Sequence, residues 1–157
     1  MGREHRILAG IFLISTAALI FEIALTRVLS VAFWHHFAFL VISIALFGIA
    51  ASGTFLSLFP VGRELEDSLS LFSLLFSIIA IGSYAVINTV PFDPFRFFVD
   101  KAQVLLIFLY YLLLSVPFFF FGLCMAVSFE KRPRDAGKPY FANLAGSGLG
   151  ALGVLGL

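Results

Sequence analysis

The feature that most constrains this chain is its run of long uncharged segments. Phe37–Gly62, Ser68–Phe92, Ala102–Phe129 and Pro139–Leu157 contain no Asp, Glu, Lys or Arg. Ahead of them, Ile7–Phe21 continues past a single Glu22 to Thr26. About 20 apolar residues in a helix cross the ~30 Å hydrocarbon core of a bilayer. A soluble core helix has no reason to be apolar on every face. The expected fold class is therefore all-α, a polytopic transmembrane helix bundle of four to five spans. The helices are expected at residues 7–29, 36–59, 69–90, 103–129 and 140–157.

Charge supports the same class. Only 12% of the 157 residues are charged and 61% are hydrophobic, where soluble domains run near 25% charged. The connections are about ten residues long, too short for a folded extramembrane domain. The expectation is a single transmembrane domain over residues 1–157, with no soluble nucleotide-binding or catalytic domain and no cofactor. A net charge of +1 argues against nucleic acid, which calls for a basic patch. The single cysteine, Cys124, cannot form an internal disulfide. Arg3 and Arg6 ahead of an apolar run mimic a signal peptide. The run is long and carries Glu22, so it reads as a retained first helix.

Lys and Arg placement sets orientation. With a cytoplasmic N-terminus, Arg3, Arg6, Arg63, Lys131, Arg132, Arg134 and Lys138 are cytoplasmic, and only Arg96 and Lys101 lie outside. Phe33-Trp34-His35-His36 then sits at the outer boundary, where amphipathic rings are favoured. Adjacent histidines on a helix diverge by ~100°, so interface placement fits His35 and His36 better than one shared metal. The outer loop P-F-D-P-F-R-F-F-V-D, residues 91–100, should rest its phenylalanines on the interface. Pro117 should kink the fourth helix, and Phe118–Phe121 after it should face lipid or wedge between helices.

Glu22 is the strongest candidate for chemistry. A charge in the bilayer costs roughly 2.5–3.5 kcal/mol on insertion scales and so needs a reason. From the ~1.5 Å rise per residue, Ser43, Ser83, Tyr84, Tyr110 and Tyr111 fall at similar depth, and one of these hydroxyls is the expected partner. Ser15, Ala18, Glu22 and Thr26 share one face, which should point into the bundle. The site is either a proton or ligand site, or a satisfied packing residue. Arg27 follows at an offset of about 140° around the helix. It is expected to pair with Glu22 or to snorkel toward the interface.

Gly148-Leu149-Gly150-Ala151-Leu152-Gly153 matches G-x-G-x-x-G, but a dinucleotide site needs a preceding strand and an acid about 20 residues on. The same region gives Gly146-x-x-x-Gly150, and Gly153 lies on the same broad face. Small residues at this spacing let membrane helices approach closely, so this face should pack on helix 1, helix 2 or a partner chain. Gly48-x-x-x-Ser52 in helix 2 has the same character.

The stretch A-L-I-F-E-I-A-L-T-R-V-L-S-V-A-F-W-H-H-F-A-F-L-V-I-S-I-A-L-F-G-I-A-A-S-G, Ala18–Gly53, resembles the start of bacterial spermidine-synthase-like membrane proteins. Its marks are E-x-x-x-x-R, an aromatic–His–Phe turn, and S-x-A-L-x-G. P-Y-F-A-N-L-A-G-S-G-L-G, Pro139–Gly150, resembles a second block of that family, expected to carry Asp where this chain has Asn143. Helices 3 and 4 match only in being apolar. The resemblance implies a multi-pass protein of the bacterial cytoplasmic (inner) membrane, followed by a soluble aminopropyltransferase-type domain of Rossmann-like fold. The family's catalytic acid and nucleotide-binding glycines lie in that soluble domain, so no catalytic residue carries over. The chain is then expected to be a piece of a longer protein or a standalone membrane module, and its uncapped ending favours the former. The leading function class is a non-catalytic module, an anchor or a subunit of a larger assembly. Its partners would be the bilayer, other membrane subunits or a missing C-terminal domain. The rival is a small transporter or channel component built on a polar layer around Glu22.

Overall fold

Five helices account for nearly all of the described residues, among which no strand occurs. A computed structural model describes residues 2–33, 37–60, 62, 64–89, 101–131 and 133–155. The helices are α1 (Arg3–Phe33), α2 (Phe37–Leu58), α3 (Leu65–Thr89), α4 (Lys101–Glu130) and α5 (Gly137–Leu155). A 3-10 turn at Pro133–Asp135 leads from α4 into α5. His35, His36 and the loop at 91–100 lie outside the described residues.

The first four helices are each long and apolar enough to cross a membrane. They bury few of their large side chains. Leu13, Leu46, Ile81, Leu105 and Leu152, one from each of the five helices, are between 60% and 72% exposed. In water such a surface would aggregate; against acyl chains it is solvated. The chain is an all-α bundle of membrane-spanning type.

The helix ends follow local chemistry. α1 starts four residues earlier than its apolar run, because Arg3–Arg6 is compatible with a helix and reaches charged partners. α3 opens with Glu66 and Asp67 in its first turn, where carboxylates meet the positive end of the helix dipole. α5 opens with Pro139 in its first turn, where a missing N–H costs nothing. α4 runs through Pro117 unbroken. Proline removes the bond to the carbonyl four residues back, here that of Leu113. The buried Ser83 hydroxyl of α3 donates to this carbonyl at 3.4 Å. A neighbouring helix thus supplies what the proline took away, as membrane helices require.

Packing divides the bundle in two. α5 lies on α1, while α2 and α3 lie on α4. α5 runs parallel to α1, since Lys138 donates to Glu4 at 2.7 Å near one end and Arg27 reaches Val154 near the other. The two groups meet through clusters around Ile14, Ala18, Phe76 and Cys124, and around Leu25, Leu29, Val41, Ile44 and Phe118. Phe118 is fully buried and Phe119–Phe121 partly so, so this run wedges between helices. At the N-terminal end Arg3 pairs with Glu64 and Glu66 at 3.2 and 3.3 Å, and Arg6 with Glu66 at 3.7 Å. These pairs are largely exposed and hold the end of α1 to the α2–α3 turn with little energy.

Candidate functional site

Glycine decides where the helices touch. A Cβ built on Gly146 would strike the carbonyl oxygen of Phe12, and one on Gly150 would lie 2.8 Å from that of Thr16. Both glycines therefore set the α1–α5 spacing by backbone contact. Gly153, grouped with them by spacing, has nothing within 4 Å and takes no part in the joint. On α2, Gly48 lies against the backbone of Ser115 and Phe119 in α4, and Ser52 fits over Gly122 of the same helix. The α2–α4 joint thus uses small residues from both helices, and Gly122-x-x-x-Ala126 is the spacing in α4 that could have marked its side of the joint.

Hydroxyls and amides finish these joints. Ser15 Oγ is 2.7 Å from the Ile11 carbonyl and 2.8 Å from Oδ1 of Asn143. One hydroxyl proton faces two acceptors. Turning the Asn143 amide so that Nδ2 donates to Ser15 gives each group a full bond. The Thr16 hydroxyl lies 2.9 Å from both its own Phe12 carbonyl and the Gly146 carbonyl. Most remaining serines of the spans, among them Ser52, Ser73, Ser77 and Ser128, bond back to a carbonyl three or four residues earlier. Bonding of this kind satisfies the hydroxyl within its own helix.

The polar layer expected around Glu22 is arranged differently. Ser43 and Tyr111 pair with each other at 3.2 Å, between α2 and α4. Ser83 serves the Leu113 carbonyl. Tyr84 is exposed on α3, and Tyr110 is buried on α4. Glu22 instead lines a pocket of about 170 Å³ with Ser15, Asn143 and Ser147, walled by Ala18, Leu19, Ile49, Phe118 and Phe121. Sequence depth alone put the wrong hydroxyls beside it, because α5 rather than α3 is the helix that pairs with α1. Arg27 does not reach Glu22. It donates to the Val154 carbonyl of α5 at 2.9 Å. Among the described residues, no hydrogen bond or ion pair reaches the Glu22 carboxyl.

A second pocket, of about 380 Å³, opens near the charged end between α1, α3 and α4. Arg6, Glu66, Ser70 and Ser73 give it polarity, and Ile7, Ile14, Leu69 and Cys124 make its apolar wall. Among the described residues no three His, Cys, Asp or Glu side chains group closely enough to hold a metal ion. No family model matches the chain, and the searches of curated proteins and of solved structures found none similar to it.

Proposed function

We propose that this chain is a non-catalytic multi-pass membrane module, an anchor or a subunit of a larger membrane assembly. The resemblance of Ala18–Gly53 and Pro139–Gly150 to spermidine-synthase-like membrane regions supports this reading and suggests the bacterial inner membrane. The observation that carries it is the use made of polar groups. Ser15, Thr16, Arg27, Ser83 and Asn143 all join one helix to another. Polarity spent on joints serves a scaffold, whereas a conduit needs it along a path.

A second reading, a small transporter or channel component, draws on the Glu22 pocket. The two pockets share no lining residue. Ile14, Ala18, Phe76 and Cys124 cluster in the core, and Phe21 sits between Phe76 and Phe118 at ring distances of 6.2 and 5.6 Å. A path would have to open through that aromatic contact.

Reconstitution into dye-loaded liposomes tests the choice. The module reading predicts no Na⁺ or H⁺ flux above that of lipid alone, and a species larger than the monomer when native membranes are solubilised in mild detergent. A flux abolished by Glu22→Gln would overturn it in favour of the second reading. Orientation is checked separately: a cysteine at Glu64 should label from the cytoplasm, and one at residue 97 from outside.

A further inference from the structure

We infer that the Glu22 pocket is a binding site for a monovalent alkali cation, Na⁺ by its chemistry. Four oxygen-bearing side chains from two parallel helices line one pocket: Ser15 and Glu22 of α1, Asn143 and Ser147 of α5. The balance of donors and acceptors there is lopsided. The Ser15 proton is committed to the Ile11 carbonyl, and the nearest guanidinium, Arg27, is tied to Val154. With the Asn143 amide turned so that Nδ2 donates to Ser15, its freed oxygen, the Glu22 carboxylate and the Ser147 hydroxyl belong to a pocket that no Lys or Arg side chain lines. A charge held inside a span pairs with something.

Ligand type and size select the ion. Carboxylate, amide and hydroxyl oxygens suit hard cations. A single carboxylate neutralises one positive charge, whereas a divalent ion would leave net charge in a low-dielectric site. At ~30 Å³ per water, the roughly 170 Å³ pocket holds a small ion together with a few waters. Phe118, Phe121 and Ile49 form its apolar wall. Binding is measured apart from flux, so the proposal stands whether or not the module reading holds.

The test is thermal unfolding of the purified full chain in detergent, with NaCl exchanged for choline chloride at constant ionic strength. Wild type should show a saturable rise in Tm, about 4 °C once Na⁺ exceeds its Kd ten-fold. Glu22→Gln should abolish the rise, and Ser147→Ala should move it to several-fold higher Na⁺. If Glu22→Gln fails to fold, the Ser147→Ala shift alone decides. No Na⁺ dependence in wild type would overturn the proposal. So would equal Na⁺ dependence in all three proteins, or a Tm that follows pH while ignoring Na⁺, which would make the occupant a proton.

Discussion

Arg27 of α1 donates a hydrogen bond to the main-chain carbonyl of Val154, across the two parallel helices, at 2.9 Å. The contact explains two things together. Near its C-terminus a helix leaves carbonyls without partners, and a cation there also complements the helix dipole. An Arg so occupied is unavailable to Glu22, five residues earlier.

Replacing Arg27 with Gln should loosen the last turn of α5 and little else. The side chain is exposed, so the cost should be at the low end for charged hydrogen bonds, about 1.5 kcal/mol. Hydrogen exchange should quicken at residues 151–155 and stay unchanged in α3 and α4. Unchanged exchange at 151–155 would show that the bond contributes nothing.

Glycine substitutions should separate contact from spacing. Gly146→Ala and Gly150→Ala push a methyl group into the backbone of Phe12 and Thr16, and should each destabilise by about 1–3 kcal/mol. Gly153→Ala meets open space and gains helix propensity, so it should be neutral or stabilising by up to ~1 kcal/mol. Thermal unfolding of the three proteins reads the difference. Equal effects would refute the joint as described.

Much of the fold was legible because the bilayer imposes a length and a polarity. Every expected helix exists, displaced by four residues or fewer at its start, since charged flanks such as Arg3–Arg6 and Glu66–Asp67 can continue a helix beyond its apolar run. The neighbours of Glu22 were not legible. Depth along a helix follows from counting residues, but which helices adjoin depends on pairing, and here Gly146 and Gly150 bring α5 onto α1. Asn143 and Ser147 then line one pocket with Glu22, while Ser43 and Tyr111 satisfy each other. Gly153 shares the spacing of its neighbours yet lies beyond their contact. Gly122 was within reach of the same reasoning, since Gly122-x-x-x-Ala126 repeats the small-residue spacing in α4.

The pairing of Ser83 with the Leu113 carbonyl should exist because of Pro117. Ser83→Ala should cost about 1 kcal/mol, and the cost should shrink in a Pro117→Ala background, where residue 117 can donate to Leu113 itself. A double-mutant cycle measures the coupling. Additive effects would mean that serine and proline act independently.

The central claim is that α5 lies parallel on α1, locked by Gly146, Gly150 and the Ser15–Asn143 contact. The most direct test is disulfide bridging in a Cys124→Ser background, with Ser15→Cys combined with Asn143→Cys. These side chains meet at 2.8 Å across the joint, so cysteines at both positions place two thiols on the facing sides of α1 and α5. Mild oxidation in membranes should bridge them within one chain, while Ser15→Cys with the outward-facing Leu152→Cys should stay reduced. Failure of the 15–143 pair to bridge, or equal bridging of both pairs, would contradict the arrangement of α1 and α5 on which the account rests.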